Sequence, residues 1–241
     1  MVHVKNKKNL SVMRFDETFK LGTPVPTHLW MVDIDGYSKV VDPDVQEELI
    51  KCLFGCVYDS VNEVSIDILK SDDIKKKIEL GSDDATVIWT GDGAIVAVKS
   101  PFDLLTPLKL TYYFNKKWTR LDWLKYRLEA KDENSTPKVH MAVHSGECRW
   151  LKTPTLRSPL FEVSNCFGVD INLLARIATF STSNGDFVAS KSYAKKLNLP
   201  KENSYILPLS DASCEVQFTK TYTGKIKGKN QEKFSYKFFT F

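Results

Sequence analysis

The sequence predicts an α/β protein of the α+β class, in which helices pack mainly on one face of a single mixed, mainly antiparallel sheet. Three observations support this prediction. Apolar runs of strand length alternate along the chain with stretches whose apolar residues recur at helical spacing. Two of these runs are separated by a tight turn, which indicates an antiparallel hairpin. The 241 residues, 42% of them hydrophobic, suffice to bury one large core.

The first half of the chain has the pattern strand, helix, hairpin. The run LWMVDID, residues 29–35, is typical of a buried strand. Asp42 and Pro43 then supply a helix N-cap followed by proline at the first helical position, and apolar residues at helical spacing continue to Val57. The runs ATVIWT and AIVAV flank the turn TGDG, so Asp92 is expected at the tip of a β-hairpin.

The second half continues the alternation. We expect a long helix over roughly residues 102–130, a strand in KVHMAVHSGEC, a helix in INLLARIATF and a strand in DFVAS. The segments CEVQFTK and FSYKFFTF are expected to pair around the turn TGKIKGKN. The order β-α-β-β-α-β-α-β, with extra terminal strands, is typical of a ferredoxin-like sandwich. Residues 1–28 are interpreted as an N-terminal extension and residues 29–241 as one domain.

Composition argues against several kinds of partner. The formal charge of +4 comes from 34 basic and 30 acidic residues dispersed along the chain, which does not indicate a nucleic-acid partner. The five cysteines are odd in number and lack paired CxxC spacing, so neither a disulfide framework nor a structural zinc site is indicated. No stretch approaches the roughly 20 apolar residues of a membrane span. We therefore expect a cytoplasmic protein without direct membrane association.

Two carboxylates stand at predicted strand ends. Asp33 ends the first apolar run and Asp92 lies in the hairpin turn. In a ferredoxin-like sheet these two elements are neighbours, so the two carboxylates are expected close together, where they would bind a pair of hard cations of the kind used in phosphoryl transfer. The backbone N–H groups of Gly36, Tyr37 and Ser38 could then meet phosphate oxygens. The alternative is that Asp92 is only a turn residue, because hairpin turns favour Asp and Gly.

The motifs MVDIDGYS, IWTGDGAIVAV, VHMAVHSGE and FGVDINLLAR, in this order, resemble the catalytic domain of class III nucleotidyl cyclases, the adenylate and guanylate cyclase superfamily. The resemblance runs over about residues 29–239. It implies a ferredoxin-like sandwich of the class III cyclase type, in which residues 29–241 are the catalytic domain. It also implies a homodimer with composite active sites and two divalent cations per site, Mg²⁺ or Mn²⁺. By the same resemblance the cations are held by Asp33 and Asp92, with the Ile34 carbonyl as a further ligand.

Three further residues match groups that contact substrate in the family. Asn172 and Arg176 match the asparagine and arginine that the partner protomer contributes to orient the ribose and stabilise the pentavalent phosphate. Lys227 falls where the family places a triphosphate-binding lysine. Two alternatives remain open, since Arg176 could only cap a helix or pair with a surface acid, and Lys227 could only solubilise a hairpin tip. His140 and His144 share one face of a predicted strand and are interpreted as packed or hydrogen-bonded residues rather than metal ligands.

The base-recognition positions depart from the family pattern. Adenylate cyclases carry a lysine and an aspartate where this chain has Ile88 and Asn165, and the guanylate pattern of Glu and Cys is also absent, because Cys166 is one residue out of register. Purine recognition is therefore not expected to survive. The chain looks like the Pycsar-type pyrimidine nucleotide cyclases of bacterial antiphage defence, which make cyclic UMP or cyclic CMP from UTP or CTP. In those systems a separately encoded effector reads the product.

Other functions compete with this interpretation. The chain could be an adenylate or guanylate cyclase making cAMP or cGMP. It could also be a catalytically silent cyclase-like module that binds nucleotide or a partner, although retention of the metal and transition-state residues together argues against decay. A nucleic-acid-binding ferredoxin-like domain would need a basic sheet face with exposed aromatic residues, and the predicted strands lack that pattern.

Overall fold

The computed structural model describes residues 20–70, 78, 84–99, 104–121, 137–152, 166–181, 186–197, 204–210, 213–218, 222–225 and 233–240. The strands are β1 (Lys20–Leu21), β2 (Val25–Ile34), β3 (Ala85–Trp89), β4 (Gly93–Lys99), β5 (Val139–Lys152), β6 (Cys166–Phe167), β7 (Phe187–Ser190), β8 (Ser204–Pro208), β9 (Ser213–Phe218), β10 (Tyr222–Lys225) and β11 (Lys233–Thr240). The helices are α1 (Pro43–Lys70), α2 (Thr106–Trp118), α3 (Val169–Ala178) and α4 (Lys191–Lys196), and a 3₁₀ turn spans Tyr37–Lys39.

The strands form one sheet in the order β3-β4-β2-β5-β7-β11-β9-β8, with β1 and β6 paired to β5 and β10 paired to β11. The β5–β7 pair is parallel, whereas the pairs that flank β2 are antiparallel. The neighbours β3-β4-β2-β5, connected through α1 and α2, repeat the ferredoxin-like β-α-β-β-α-β arrangement. The predicted mixed, mainly antiparallel α+β fold is confirmed.

Each face of the sheet carries its own apolar cluster. Trp30 and Val32 of β2 point to the face covered by α1 and α2, where they pack with Leu53 and Phe114. Leu29 and Met31 point to the opposite face, which α3 covers. Because side chains alternate along a strand, Asp33 shares the face of Leu29 and Met31. The end of β2 that carries Asp33 therefore belongs to the α3 side of the sheet.

Helix α1 starts as the sequence predicts, because the Asp44 N–H donates to Asp42 Oδ1 at 2.9 Å and Pro43 is the first helical residue. No helix in the described part of the chain is long and apolar enough to cross a membrane.

The predicted helix over residues 102–130 was too long. Helix α2 ends at Trp118, whose indole Nε1 donates to the Pro137 carbonyl at 2.8 Å and so ties the helix end to the segment that enters β5. The Arg120 N–H then donates to the Lys117 carbonyl, a turn rather than a continued helix. Residues 102, 103 and 122–130 of the predicted helix lie outside the described residues.

The terminal strands differ in part from the prediction. Strands β9 and β11 do pair, but within the described residues the pairing is limited to Phe218 and Gln217 of β9. The hairpin partner of β11 is β10, Tyr222–Lys225, which includes the first residues of the predicted turn TGKIKGKN. A residue in a Gly-containing turn pattern can continue a strand when a long neighbouring strand offers it backbone partners, and β11 does so here.

Candidate active site

Asp33 and Asp92 lie at adjacent strand ends. In the β2–β4 ladder Asp33 is opposite Gly93, the residue that follows Asp92. The Ile34 N–H donates to the Asp92 carbonyl at 3.0 Å, and the Thr90 N–H donates to the Gly93 carbonyl at 3.0 Å. The first hydrogen bond fixes the hairpin turn against the end of β2, and the second closes the turn itself. The strand register thus brings the two aspartates close together, as the sequence predicts.

The Asp33 carboxylate occupies space that is free because residue 93 is a glycine. A Cβ at Gly93 would lie 2.5 Å from Asp33 Oδ1 and 2.7 Å from both Thr90 Oγ1 and the Val32 carbonyl. Gly91, in the same turn, has a φ of 98°, a conformation that glycine adopts without strain. Both glycines of TGDG are therefore required by geometry, one for the turn and the other for the carboxylate beside it.

The charge on Asp33 is poorly compensated by the protein itself. Burial, and after it the negative charge of Asp92, raise the pKa of Asp33 to about 6, while His140 acts in the opposite direction. A divalent cation between the two carboxylates would remove this repulsion and offset the burial, so the donor set fits a hard cation. The described residues contain no group of three or more His, Cys, Asp or Glu side chains that could hold a metal. Backbone carbonyl, phosphate or water oxygens would have to complete the coordination.

Asp35 and His140 lie beside this pair. Asp35 Oδ1 is 3.4 Å from His140 Nε2, and His140 Nδ1 donates to the Ser181 carbonyl at 2.7 Å. His140 is therefore a hydrogen-bonded residue that joins the end of β2 to the turn after α3, in agreement with its interpretation from the sequence.

The chain turns sharply after Asp35. Gly36 has a φ of 72°, and the Lys39 N–H donates to the Gly36 carbonyl at 2.9 Å to close the 3₁₀ turn. Tyr37 packs partly against the core and Ser38 is exposed. Gly36, Tyr37 and Ser38 thus follow directly on the strand end that carries Asp33.

Asn172 and Arg176 share the outward side of α3. Leu174, Ile177 and Ala178 are buried against the sheet, whereas Asn172 and Arg176 are exposed. Their spacing of four residues puts both side chains on one side of the helix. This side faces away from the sheet that bears Asp33 and Asp92. Neither side chain has a hydrogen-bond or ion-pair partner within the part of the chain that is described.

No protein-family model matches the chain, and no curated protein matches it. Solved structures do. The guanylyl cyclase Cya2 is 13% identical with a TM-score of 0.59, over 91% of this chain and 94% of that one. The adenylyl cyclase CyaB from P. aeruginosa is 14% identical with a TM-score of 0.55, over 91% and 95%. The catalytic core of a rhodopsin-guanylyl cyclase with converted specificity, in complex with ATPαS, is 12% identical with a TM-score of 0.56, over 92% and 98%.

The chain has the fold of a class III nucleotide cyclase catalytic domain. At identities of 12 to 14% the likeness concerns the fold. Both adenylyl and guanylyl cyclases share it, so the fold does not distinguish between nucleotides.

The expected base-recognition and triphosphate residues are only partly described in this cyclase fold. Ile88 is half-buried in β3, opposite Ile95 of β4, and packs with the apolar cluster on the α3 face, the same face that carries Asp33. Asn165 and Lys227 lie outside the described residues.

Asp170 is a residue of this region to which the sequence analysis gave no role. It is the second residue of α3, and its Oδ2 accepts the Glu147 N–H at 2.8 Å while Oδ1 lies 3.3 Å from His144 Nε2. The contact with His144 lowers the pKa of Asp170, and the Glu147 N–H acts in the same direction. The sequence pattern that could have drawn attention to Asp170 is an acidic residue in the first turn of a predicted helix. Its partner could not be found without the packing of α3 on β5.

Proposed function

We propose that this protein is a nucleotide cyclase that converts a pyrimidine nucleoside triphosphate, UTP or CTP, to its 3′,5′-cyclic monophosphate and pyrophosphate. The observation that carries the proposal is the meeting of Asp33 and Asp92 at adjacent strand ends of a cyclase fold. The poorly compensated charge of Asp33 adds a physical reason for a cation at this point.

The active unit is proposed to be a head-to-tail homodimer. Asn172 and Arg176 point away from the sheet that carries the chain's own Asp33 and Asp92, so a second copy would have to supply them to a complete site. Two exposed apolar residues support this: Phe167 at the end of β6 is 42% exposed, and Val169 at the start of α3 is 66% exposed. Two equivalent composite sites would then form about one two-fold axis.

One protomer would supply the groups that bind the cations and the phosphates. Asp33, Asp92 and the Ile34 carbonyl would hold two divalent cations, Mg²⁺ or Mn²⁺. When bound, such cations lower the pKa of the ribose 3′-hydroxyl and offset the charge of the triphosphate. The backbone N–H groups of Gly36, Tyr37 and Ser38 would donate to phosphate oxygens.

The second copy contributes the remaining groups. Its Asn172 orients the ribose so that the 3′-hydroxyl attacks the α-phosphorus in line, and pyrophosphate leaves from the opposite side. Its Arg176 donates to the oxygens of the phosphorane as negative charge develops, and Lys227 binds oxygens of the leaving pyrophosphate. No side chain has to act as a general base, because the proton of the 3′-hydroxyl passes to solvent water.

The choice of a pyrimidine rests on Ile88 and Asn165. Ile88 lies on the face of the sheet that carries Asp33 and has no polar atom to offer a purine. The Asn165 amide could donate to uracil O4 or accept from the cytosine amino group, which is why both products are proposed. A purine needs donors and room that these two side chains do not supply.

The deciding experiment is incubation of the purified protein with Mn²⁺ or Mg²⁺ and each of the four ribonucleoside triphosphates, with product identification by mass. We expect cyclic UMP or cyclic CMP at a rate at least about tenfold above any purine product. A preference for ATP or GTP would keep the cyclase and overturn the pyrimidine assignment; the adenylyl and guanylyl cyclases among the similar structures favour this second candidate. No cyclic product from any substrate would indicate a silent nucleotide-binding or interaction module.

The biological role proposed with this activity is antiphage signalling, in which a separately encoded effector reads the cyclic nucleotide. It rests on the resemblance to Pycsar-type cyclases. Bacteria that express the protein with a separately encoded effector that reads its product should resist phage, whereas bacteria that express Asp33→Ala with the same effector should be as sensitive as bacteria without either gene.

A further inference from the structure

The start of α3 is tied to strand β5 by two contacts of one carboxylate. Asp170 Oδ2 accepts the Glu147 N–H at 2.8 Å, and Oδ1 lies 3.3 Å from His144 Nε2. Position 146 is a glycine and has no room for a side chain: a Cβ there would collide with the Asp170 carboxylate and lie 2.8 Å from His144 Nε2. The glycine therefore lets the helix start approach the strand closely.

His144 is held in a fixed orientation. Its side chain is 4% exposed, and its Nδ1 is hydrogen-bonded to Ser190 Oγ at 2.6 Å. Ser190 in turn accepts the Tyr193 N–H at the start of α4. His144 Nε2 is buried, makes no well-aligned hydrogen bond within the described part of the chain, and lies 3.3 Å from Asp170 Oδ1. A buried polar atom aimed at a carboxylate makes the position of that carboxylate energetically important.

We propose that Asp170 and His144 are positioning residues, which fix the start of α3 and so set where Asn172 and Arg176 are presented to the second copy. This inference rests on the proposed cyclase function. It assigns to Asp170 and His144 no contact with substrate.

The geometry of a helix explains why the start of α3 matters. Arg176 lies six residues after Asp170, or about 9 Å along the axis, so a tilt of roughly 10° at the helix start would displace it by ~1.5 Å. Misplacement of a transition-state group by about 1 Å can lower a rate ~100-fold. Because Asn172 and Arg176 act on the reacting groups, the effect should fall on kcat rather than on KM.

The positioning effect of Asp170 has to be separated from its general interaction with the helix dipole. Any aspartate in the first turn of a helix interacts favourably with the helix dipole. Asp44 occupies the second position of α1, as Asp170 does of α3, but it is exposed and its helix carries no proposed catalytic group. Asp44→Ala is therefore the matched control.

The experiment compares Asp170→Ala, Asp170→Asn, His144→Gln and Asp44→Ala, after thermal unfolding has shown which variants are folded. Steady-state kinetics with the preferred nucleotide should give kcat at least about tenfold lower for Asp170→Ala and His144→Gln, with KM changed less than about threefold. Asp170→Asn should be intermediate, because its amide oxygen can still accept the Glu147 N–H. Asp44→Ala should match the wild type. Equal kcat in folded Asp170→Ala and Asp44→Ala would overturn the proposal.

Amide hydrogen exchange tests the same contact without any turnover. Asp170→Ala should speed exchange at the Glu147 amide and over the first turn of α3, whereas Asp44→Ala should not. Unchanged exchange in Asp170→Ala would overturn the positioning role even if the wild type is an active cyclase. If the wild type makes no cyclic nucleotide but exchange responds as expected, the proposed function has failed and the link between α3 and β5 stands.

Discussion

The Asp33 carboxylate lies in the space that a side chain at Gly93 would occupy, since a Cβ there would be 2.5 Å from Asp33 Oδ1. The two residues face each other across the β2–β4 ladder. The glycine that closes the TGDG hairpin is therefore part of the same arrangement as the aspartate that ends the first strand. One contact thus joins the two acidic motifs that sequence alone presents separately.

Gly93→Ala should displace the Asp33 carboxylate and destabilise the protein by about 1–3 kcal/mol, because a methyl group would overlap side-chain and backbone oxygens. Urea unfolding measures the change. Gly55→Ala is the control, since Gly55 is exposed within α1 and has nothing within 4 Å of its added Cβ. That substitution should stabilise by about 0.5–1 kcal/mol, as alanine replaces glycine in a helix. A Gly93→Ala protein as stable as the wild type would contradict the close approach.

The ionisation of Asp33 should make the metal-free protein less stable as the pH rises. The folded-state pKa of about 6 exceeds the ordinary value of 3.8. The contribution of this group to the free energy of unfolding is therefore fully present below pH 3.8 and is lost as the pH rises through 6. Asp33→Asn should therefore exceed the wild type in free energy of unfolding at pH 7.5 by about 1 kcal/mol, after allowance for solvent screening of a partly exposed group.

Urea unfolding in a chelating buffer at pH 4 and at pH 7.5 measures this difference, which should be small at the lower pH. Added Mn²⁺ should reverse the order at pH 7.5, because the wild type would bind it and Asp33→Asn would bind it poorly. If Asp33→Asn gained the same free energy of unfolding over the wild type at both pH values, burial and Asp92 would not raise the pKa of Asp33.

Asp33→Ala and Arg176→Ala should each be inactive alone and active when mixed. In the mixed dimer one composite site has both intact groups, so random exchange should restore about a quarter of wild-type activity. Cyclic nucleotide production by the mixture measures this. Asp33→Ala mixed with Asp92→Ala is the control and should stay inactive, because both substitutions lie on the same side of the site. Absence of complementation, with subunit exchange shown by a tagged copy, would count against the head-to-tail arrangement.

Asn165→Asp should lower activity with UTP more than with CTP. A carboxylate would face the uracil O4 carbonyl oxygen unfavourably, whereas the cytosine amino group can still donate to it. The ratio of kcat/KM for CTP to that for UTP should rise at least about tenfold, equivalent to about 1.4 kcal/mol. Asp186→Asn, at a polar position just before β7, serves as a control that should leave the ratio unchanged. An unaltered ratio in Asn165→Asp would remove this residue from base recognition.

Local patterns in the sequence determined much of this fold. The continuous apolar run of β2, the N-cap at Asp42 and the TGDG turn depend on neighbouring residues, and the structure has each of them. The placement of Asp33 beside Asp92 also followed, because the order of strands in a ferredoxin-like sheet makes β2 and the hairpin neighbours. Those features are set by short-range backbone preferences and by chain order.

Only the tertiary structure decided how α3 sits. Its residues predict a helix, but its packing on the Asp33 face, with Asn172 and Arg176 turned outward, depends on apolar contacts with strands distant in sequence. The contact between Asp170 and His144 joins residues 26 positions apart, and the end of α2 at Trp118 depends on the Pro137 carbonyl. Such long-range contacts leave no local pattern, because each partner also has an ordinary role in its own element: an acid in a helix's first turn, a histidine in a strand, a tryptophan in a helix.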